Sequence, residues 1–353
     1  MKTRASSTTR AWWAAARPAG PSQGMPSMAR RFYGGAAAAT AAKVVVTRAL
    51  PDSTLEALRA GGCAWEGRYW SEPETAIPRS TLLSWLSPDT LGLYCLLTDK
   101  VDGEVLDRAP NLRVVSSMSV GVDHIDLAAC KARGVHVGHT PGVLTDSTAD
   151  LAVALTFATV RKIVPGVAAV KNGEWKTWSP FWMASPFDVS GSTVGVVGLG
   201  RIGAAFAKRM AHGFGCKILY SGSRPKPEEA EPLGATYVPL DELLQRSDIV
   251  SVHCPLTPET RSAVFINTSR GPVVDQEALY DALASNTIAA AGLDVTDPEP
   301  LPTSSPLLGL PNLVVVPHIA SATYPTRMKM AMMAADNLVA GVQGKTLPFA
   351  VKL

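Results

Sequence analysis

The sequence predicts an α/β fold of two units, each a parallel sheet covered by helices, and three observations predict it. A β-branched apolar run, Val194 to Val197, leads through Gly198-Leu199-Gly200-Arg201-Ile202-Gly203 into Ala204 to Met210, a stretch of good helix formers. That order is strand, glycine turn, helix. Short apolar strands alternate with helix-spaced segments on both sides of this point, the rhythm of a parallel sheet with covered faces. With 353 residues and 46% hydrophobic content, the chain can bury cores for about two domains.

Residues 1–42 stand apart. They hold six of the 33 basic residues (Lys2, Arg4, Arg10, Arg17, Arg30 and Arg31) and no Asp or Glu, with abundant Ser, Thr and Ala. This composition is that of an organelle transit peptide, with mitochondrial import expected ahead of plastid import. A disordered extension of a cytoplasmic protein is the alternative. The remainder carries 27 basic against 30 acidic residues, so the basic face that a nucleic-acid partner requires is not expected. No uninterrupted apolar stretch approaches the roughly 20 residues of a membrane helix, and no membrane partner is expected. The five cysteines (Cys63, Cys95, Cys130, Cys216, Cys254) are odd in number, scattered and never in a Cys-x-x-Cys pair. They read as reduced, buried, intracellular thiols with no metal among them.

The first unit begins at Lys43. Val44 to Thr47 is a short buried strand, Leu55 to Arg59 has helical spacing, and Gly61-Gly62 ends it. Gly92 to Thr98, Leu112 to Ser116 and Gly134 to Val137 are further strands. Thr145-Asp146-Ser147 offers N-cap oxygens to a long apolar helix through Val160, which Pro165 interrupts. Trp175, Trp178, Phe181 and Trp182 then cluster among Ser and Pro; core packing is one reading, and a homodimer contact is the preferred one. The second unit has strands Thr193–Val197, Lys217–Tyr220, Asp248–Cys254, Ala263–Asn267, Ala290–Val295 and Leu313–Pro317, with helices such as Leu240–Arg246 and Gln276–Ala284 between them. A final helix, Tyr324–Gly341, returns to the first unit.

The glycine turn is where the chemistry begins. The first glycine permits the tight turn, the second lets backbone approach a pyrophosphate, the third lets helix pack on strand, and the helix N-terminus favours the anion. Gly198, Gly200, Arg201, Ile202 and Gly203 are therefore candidate cofactor residues. An Asp or Glu at the end of the next strand would hydrogen-bond the ribose 2′-OH of NAD. This chain instead has Tyr220-Ser221-Gly222-Ser223-Arg224-Pro225-Lys226. Ser221 and Ser223 can donate to a 2′-phosphate while Arg224 and Lys226 supply charge, so NADPH is the expected cofactor, with NADH possible.

Four polar residues fall at or just beyond strand ends, where open α/β sheets place ligands: Arg270, Asp294, Glu299 and His318. An Arg270 guanidinium could pair a substrate carboxylate and polarise a neighbouring carbonyl. A His318 imidazolium could protonate the oxygen of a carbonyl under reduction, with Glu299 favouring its charged form. Singly, each also reads as a surface Arg, a capping Asp, a loop Glu or a strand-end His; together, beside a nucleotide fold, they point to hydride transfer.

At these residues the chain resembles the D-isomer specific 2-hydroxyacid dehydrogenases. The matching stretches are Ser119-Val120-Gly121-Val122-Asp123-His124, Thr140 to Thr145, the glycine turn, Phe265 to Gly271, Ala291-Gly292-Leu293-Asp294-Val295, Pro298-Glu299-Pro300 and Pro317-His318-Ile319-Ala320-Ser321. The resemblance implies a doubly wound nucleotide-binding domain, 144–321, inserted in a smaller flavodoxin-like substrate domain formed by 43–143 and 322–353. It implies that Val120 and Gly121 offer backbone N–H groups to a substrate carboxylate, that Arg270 binds the 2-oxo acid, that Glu299 tunes His318 and that His318 donates the proton. Asp294 and Ser321 would lie beside the substrate, and Pro255, Thr268 and Asp294 beside the cofactor. Leu97 to Lys100 would shape selection for a small acid. The implied reaction is NADPH reduction of glyoxylate and hydroxypyruvate to glycolate and D-glycerate. The alternatives are another D-2-hydroxyacid dehydrogenase and a dinucleotide-binding protein without turnover.

One stretch departs from the family. Only eight residues, Pro255 to Ser262, join two strands whose parallel pairing needs a crossover of a dozen or more. A direct hairpin would make the second strand antiparallel and reverse the end at which Arg270 emerges; a stretched loop would keep the direction.

Overall fold

A computed structural model describes residues 41–65, 68–72, 75–254 and 264–353 of the chain. In the first unit, strands β1 (Ala42–Val46), β2 (Cys63–Ala64), β3 (Gly92–Cys95), β4 (Val114–Ser117) and β5 (His136–Gly138) alternate with helices α1 (Asp52–Ala60), α2 (Arg79–Trp85), α3 (Gly103–Arg108) and α4 (Leu127–Ala132). All neighbours pair in parallel, in the order β2-β1-β3-β4-β5. That is the flavodoxin-like order. Its inner strands are continuous apolar or small runs because both faces are covered: Val44, Val46, Leu93, Tyr94, Val114 and Val115 are all buried. Asp102 and Asp126 cap α3 and α4 by accepting from Val105 N and Ala129 N.

The connection between units is helical. Helix α5 (Thr145–Val160) is followed at once by α6 (Ile163–Lys171). The N-cap expected from Thr145-Asp146-Ser147 is not formed, because the helix is already running at Thr145. Its N-cap is Leu144, which has no side-chain oxygen to offer. Ser147 Oγ donates back to Leu144 O, and Asp146 accepts from Arg209. The break between the helices falls at Lys162, whose φ of 50° is left-handed. Pro165 sits in the first turn of α6, where the N–H it lacks would have had no intrahelical acceptor.

The second unit contains β6 (Thr193–Val197), α7 (Arg201–Phe214), β7 (Lys217–Ser221), α8 (Pro227–Ala230), β8 (Thr236–Tyr237), α9 (Leu240–Arg246), β9 (Ile249–Val252), β10 (Val264–Asn267), α10 (Gln276–Ala284), β11 (Ala291–Leu293) and β12 (Leu313–Val315). The seven strands are parallel in the order β12-β11-β10-β9-β6-β7-β8. β6 pairs with both β7 and β9, so the winding reverses there and a crevice opens at its carboxyl end. α5 and α7 cover one face of this sheet, sharing a core of Ala149, Ala152, Leu155, Val194, Val196, Phe206, Met210 and Ile266.

β10 settles the direction left open by the short crossover. Val264 pairs with Ile249 and Asn267 with Val252, in parallel, so Arg270 emerges at the same sheet edge as the glycine turn. The segment Pro255 to Ser262 itself, with Ala263, lies outside the described residues.

Helix α11 (Tyr324–Val342) packs on the first sheet, where Ala334, Ala335, Leu338, Val339 and Val342 join Val44, Val46, Tyr94 and Val114 in one core. Tyr94 OH and Ser116 Oγ donate to Ala331 O and Ala334 O of this helix.

Four cysteines are buried, and Cys254 is half-buried; no disulfide joins them. Burial pushes the Cys63 thiol up to about 12 and Cys130 to about 11, so both stay protonated at neutral pH. Among the described residues no single helix is long and apolar enough to cross a membrane. The aromatic cluster after α6 is not core: Trp178 is 80% and Phe181 84% exposed, and Ile163, Val164, Val167 and Val170 of α6 are exposed as well.

Candidate active site

The carboxyl edge of the second sheet carries the glycine turn. Gly198 has a φ of +96°, and a Cβ there would lie 2.9 Å from Cys254 N, so only glycine makes this turn without strain. A Cβ on Gly203 would stand 2.2 Å from Gly198 O, which is what close helix-to-strand packing means here. Nothing lies within 4 Å of a Cβ built on Gly200. α7 begins directly after it with no side-chain cap, so the first-turn N–H groups of Arg201, Ile202 and Gly203 are left for an anion. Open space, free donors and a helix N-terminus together fit a dinucleotide pyrophosphate.

Beyond β7 the loop from Ser221 to Lys226 is shaped by two tyrosines. Lys226 N donates to Tyr220 OH at 2.9 Å, and Tyr237 OH donates to Gly222 O at 3.1 Å. The two rings meet edge-on, 5.3 Å apart. Ser223 and Arg224 are exposed and Lys226 half-buried on this loop, with no carboxylate beside them in sequence. Ser221 is largely buried, and its carbonyl accepts from Gly198 N at 2.8 Å.

Beneath the turn, His253 is half-buried against Phe206, ring centroids 5.1 Å apart, and shares a 2.9 Å hydrogen bond with Ser251 Oγ. Desolvation pushes its pKa down to about 3, so its ring is neutral at physiological pH.

The reacting groups come from three adjacent strands. Asn267, at the end of β10, shapes the turn that presents Arg270: its Nδ2 donates to Arg270 O at 2.9 Å and its Oδ1 accepts from Ser269 N and Oγ. The Arg270 guanidinium reaches back to the first unit, where Nε donates to Asp123 Oδ2 at 3.0 Å while Nη1 donates to Ser269 O. It lies directly against Gly121, so that a Cβ there would be 1.7 Å from Nη2. Val120 and Gly121 are half-buried beside it. Thr268 is nearly buried and its Oγ1 has no partner among the described residues.

Asp294 follows β11 and is 1% exposed. It spends both carboxylate oxygens on backbone: Oδ1 accepts from Ile319 N at 2.6 Å, Oδ2 from Ala320 N at 3.0 Å, and its carbonyl accepts from His318 N at 2.9 Å. Three consecutive N–H groups after β12 are therefore held by one residue. Burial raises the Asp294 pKa, opposed by the hydrogen bond from Ile319. The bracing has a reason, since His318 sits at φ 51°, a left-handed conformation costly for a residue with a Cβ. Its Nδ1 is hydrogen-bonded to Glu299 Oε1, which leaves Nε2 as the nitrogen free to exchange a proton. Ser321 Oγ accepts from Arg327 Nε at 3.2 Å.

The structure thus brings Arg270, Asp294, Glu299, His318 and the glycine turn to one sheet edge, with Val120 and Gly121 facing them from the other unit. Pro255 lies outside the described residues. Asp123 went unread as a site residue although it lies two positions after Gly121; its contact with a residue 147 positions away leaves no local signal.

Comparison with known proteins agrees with this architecture. Residues 153–320 match the profile of the D-isomer specific 2-hydroxyacid dehydrogenase NAD binding domain. The chain is 50% identical over 327 residues, 88% of its length and 98% of the relative's, to the glyoxylate reductase/hydroxypyruvate reductase of Mus musculus. It is 45% identical over 320 residues, 87% of the chain and 94% of the relative, to the glyoxylate reductase of Korarchaeum cryptofilum. Among solved structures, a Thermus thermophilus protein superimposes with a TM-score of 0.80 at 44% identity, covering 88% of this chain and all of that one. An NADPH-dependent glyoxylate/hydroxypyruvate reductase from Sinorhizobium meliloti, in complex with NADP and malonate, gives 0.71 at 31% identity, covering 88% and 97%. With its two parallel sheets, its glycine turn and half its residues shared with a relative along nearly the whole fold, the chain belongs to the D-isomer specific 2-hydroxyacid dehydrogenase family.

Proposed function

We propose that this protein reduces small 2-oxo acids, glyoxylate and hydroxypyruvate, to the D-2-hydroxy acids with NADPH as reductant. The observation that carries the reading is the pairing, on one sheet edge, of an Arg270 guanidinium pressed against Gly121 with a braced His318–Glu299 pair. The first binds a carboxylate and the second moves a proton. Residues 144–321 hold the cofactor, and 43–143 with 322–353 form the substrate unit. Gly198, Gly200 and the first-turn N–H groups from Arg201 to Gly203 hold the pyrophosphate, and the Ser221–Lys226 loop holds the 2′-phosphate. Thr268, whose Oγ1 is unpartnered among the described residues, and Asp294, which frames the His318 turn, would lie on the nicotinamide side.

Bound nicotinamide supplies the hydride, so the chain's own residues are left to bind, orient and protonate. Arg270, with the N–H groups of Val120 and Gly121, takes the substrate carboxylate and draws charge toward the carbonyl. A C–H bond forms at the carbonyl carbon as the C=O π pair moves to oxygen, and that oxygen takes its proton from His318 Nε2. Glu299 keeps Nδ1 occupied and the ring in one orientation. Asp294 holds the turn that carries the ring. Support for the substrate comes from the relatives named for glyoxylate and hydroxypyruvate, and for NADPH from the basic, carboxylate-free loop after β7.

The full chain, given NADPH or NADH with glyoxylate, hydroxypyruvate or pyruvate, is expected to oxidise NADPH fastest with the first two and to yield D-glycerate from hydroxypyruvate. Dinucleotide binding with no oxidation of either cofactor overturns the reading.

The exposed face of Ile163, Val164, Val167, Trp178 and Phe181 is, in the same proposal, the contact with a second copy of this chain. Large apolar side chains exposed so densely in one stretch of chain are the kind of surface a partner covers. Sedimentation of the wild type as a dimer, and of a Trp178→Asp/Phe181→Asp double variant as a monomer, is the expected result; a monomeric wild type contradicts it.

A further inference from the structure

The loop that carries Val120 and Gly121 is held from behind, on its carbonyl side only. Thr140 N donates to Ser119 O at 2.8 Å, and His139 Nδ1 lies 2.9 Å from Val120 O. Because Val120 O can only accept, Nδ1 carries the proton. A trans peptide places its N–H opposite its C=O. Two successive carbonyls are aimed at one segment, His139-Thr140, so the N–H groups of Val120 and Gly121 both face away from that segment. Neither N–H has a hydrogen-bond acceptor among the described residues. The next carbonyl, of Gly121, is held in turn by Ser119 Oγ at 2.6 Å. Ser119 Oγ is 2.7 Å from Ser117 Oγ, which is 3.0 Å from His124 Nε2.

His139 is itself immobilised. Its N–H donates to Phe349 O at 3.0 Å and its carbonyl accepts from Asn337 Nδ2 at 3.0 Å. Asn337, fully buried on α11, closes the triangle by accepting from Phe349 N at 2.9 Å. The returning helix and the C-terminal segment therefore fix a post. Among the described residues, the side-chain hydrogen bond of that post goes to the peptide between Val120 and Gly121.

We infer that His139 is the positioning residue of the substrate-carboxylate cradle: its Nδ1–H fixes the Val120–Gly121 peptide so that two unpaired N–H groups are presented to an α-carboxylate beside Arg270. This rests on the 2-oxo acid reading above and assigns that site its support. His139 touches neither substrate nor cofactor. Losing one neutral hydrogen bond to a flexible loop corresponds to a roughly five- to tenfold weaker carboxylate interaction.

The test uses the side chain's shape. Asparagine places an amide N–H close to the position of imidazole Nδ1, whereas glutamine and leucine do not. His139→Gln and His139→Leu are expected to raise the KM for glyoxylate roughly five- to tenfold, with NADPH affinity unchanged, and His139→Asn to stay within about twofold of wild type. Methylglyoxal, an aldehyde without a carboxylate, is expected to be reduced equally by all four proteins. If His139→Leu fails to fold, the Gln and Asn variants decide alone. An active wild type whose KM for glyoxylate is unmoved in His139→Gln, or raised as much in His139→Asn, overturns the assignment of His139 and leaves the reaction standing. A wild type that oxidises no cofactor with any 2-oxo acid overturns both.

Discussion

Gly121→Ala is the smallest change that separates binding of the 2-oxo acid from everything else in the protein. The added methyl would stand 1.7 Å from Arg270 Nη2, against the 3.4 Å at which ordinary contact begins, so the guanidinium must withdraw by roughly 1.7 Å. It is the far end of a flexible side chain, and it can move; the cost falls on geometry and not on folding. Moving breaks the 3.0 Å bond to Asp123 or the 2.8 Å bond to Ser269 O, and carries Arg270 away from the cradle. A charge-assisted hydrogen bond is worth about 1.5–3 kcal/mol, so kcat/KM for glyoxylate is expected to fall roughly 10- to 150-fold. Gly121 does not occupy the left-handed region, so alanine adds no backbone strain, and the melting temperature is expected to change by only a few degrees. NADPH affinity, set on the other sheet, is expected to be unchanged. A folded Gly121→Ala protein with kcat/KM within about threefold of wild type would refute the placement of Arg270 against Gly121.

Two further outcomes follow from the cofactor half. Arg224→Asp is expected to lower kcat/KM with NADPH at least about tenfold while sparing NADH, since in the proposed clamp it would replace a positive charge beside the 2′-phosphate by a repulsive one; an unchanged ratio of the two cofactors contradicts the clamp. His253 gives a stability signature. Unfolded, its imidazole takes a proton near 6.5, but folded not until about 3. Between these values the unfolded state binds more protons, so the stability His253 contributes is complete above about 6.5 and is lost as pH falls toward 3. His253→Gln lacks this term. Urea titrations are expected to show the gap between wild type and variant narrowing by up to about 2 kcal/mol from pH ~7 to ~5; a constant gap would mean that the ring titrates normally.

What could be read from the chain before its structure was whatever depends on local order. Val194 to Gly203 is strand, turn and helix in sequence as in space, and the absence of a carboxylate after Tyr220 is visible in seven residues. That both sheets are parallel follows from the alternation of strands and helices, whereas the 2-1-3-4-5 order of the first sheet was implied by the family resemblance and is seen only in the structure. Contacts that join distant segments were not legible: Asp123 with Arg270, His139 with Val120 and Phe349, Asn337 with His139 and Phe349. Each is a single hydrogen bond between a loop and a residue that its own neighbours do not mark. Asp294 was read as a residue beside ligands or a cap, and its side chain proves to hold two backbone N–H groups of a turn in a different strand's loop. Strands β2 and β8, two residues each, are too short to show a period. The expected N-cap at Thr145 failed because Thr145 is already the first helical residue and the cap position falls on Leu144.

In the proposed reaction His318 is the proton donor, held by Glu299 and steered by Asp294. The most direct measurement compares His318→Ala with wild type for NADPH oxidation by glyoxylate and, in parallel, for NADPH affinity. The expected result is a roughly 10²- to 10⁴-fold loss of kcat, the size of a general acid's contribution, with NADPH bound as tightly as before. Turnover within about threefold of wild type in a protein that binds NADPH normally would contradict it.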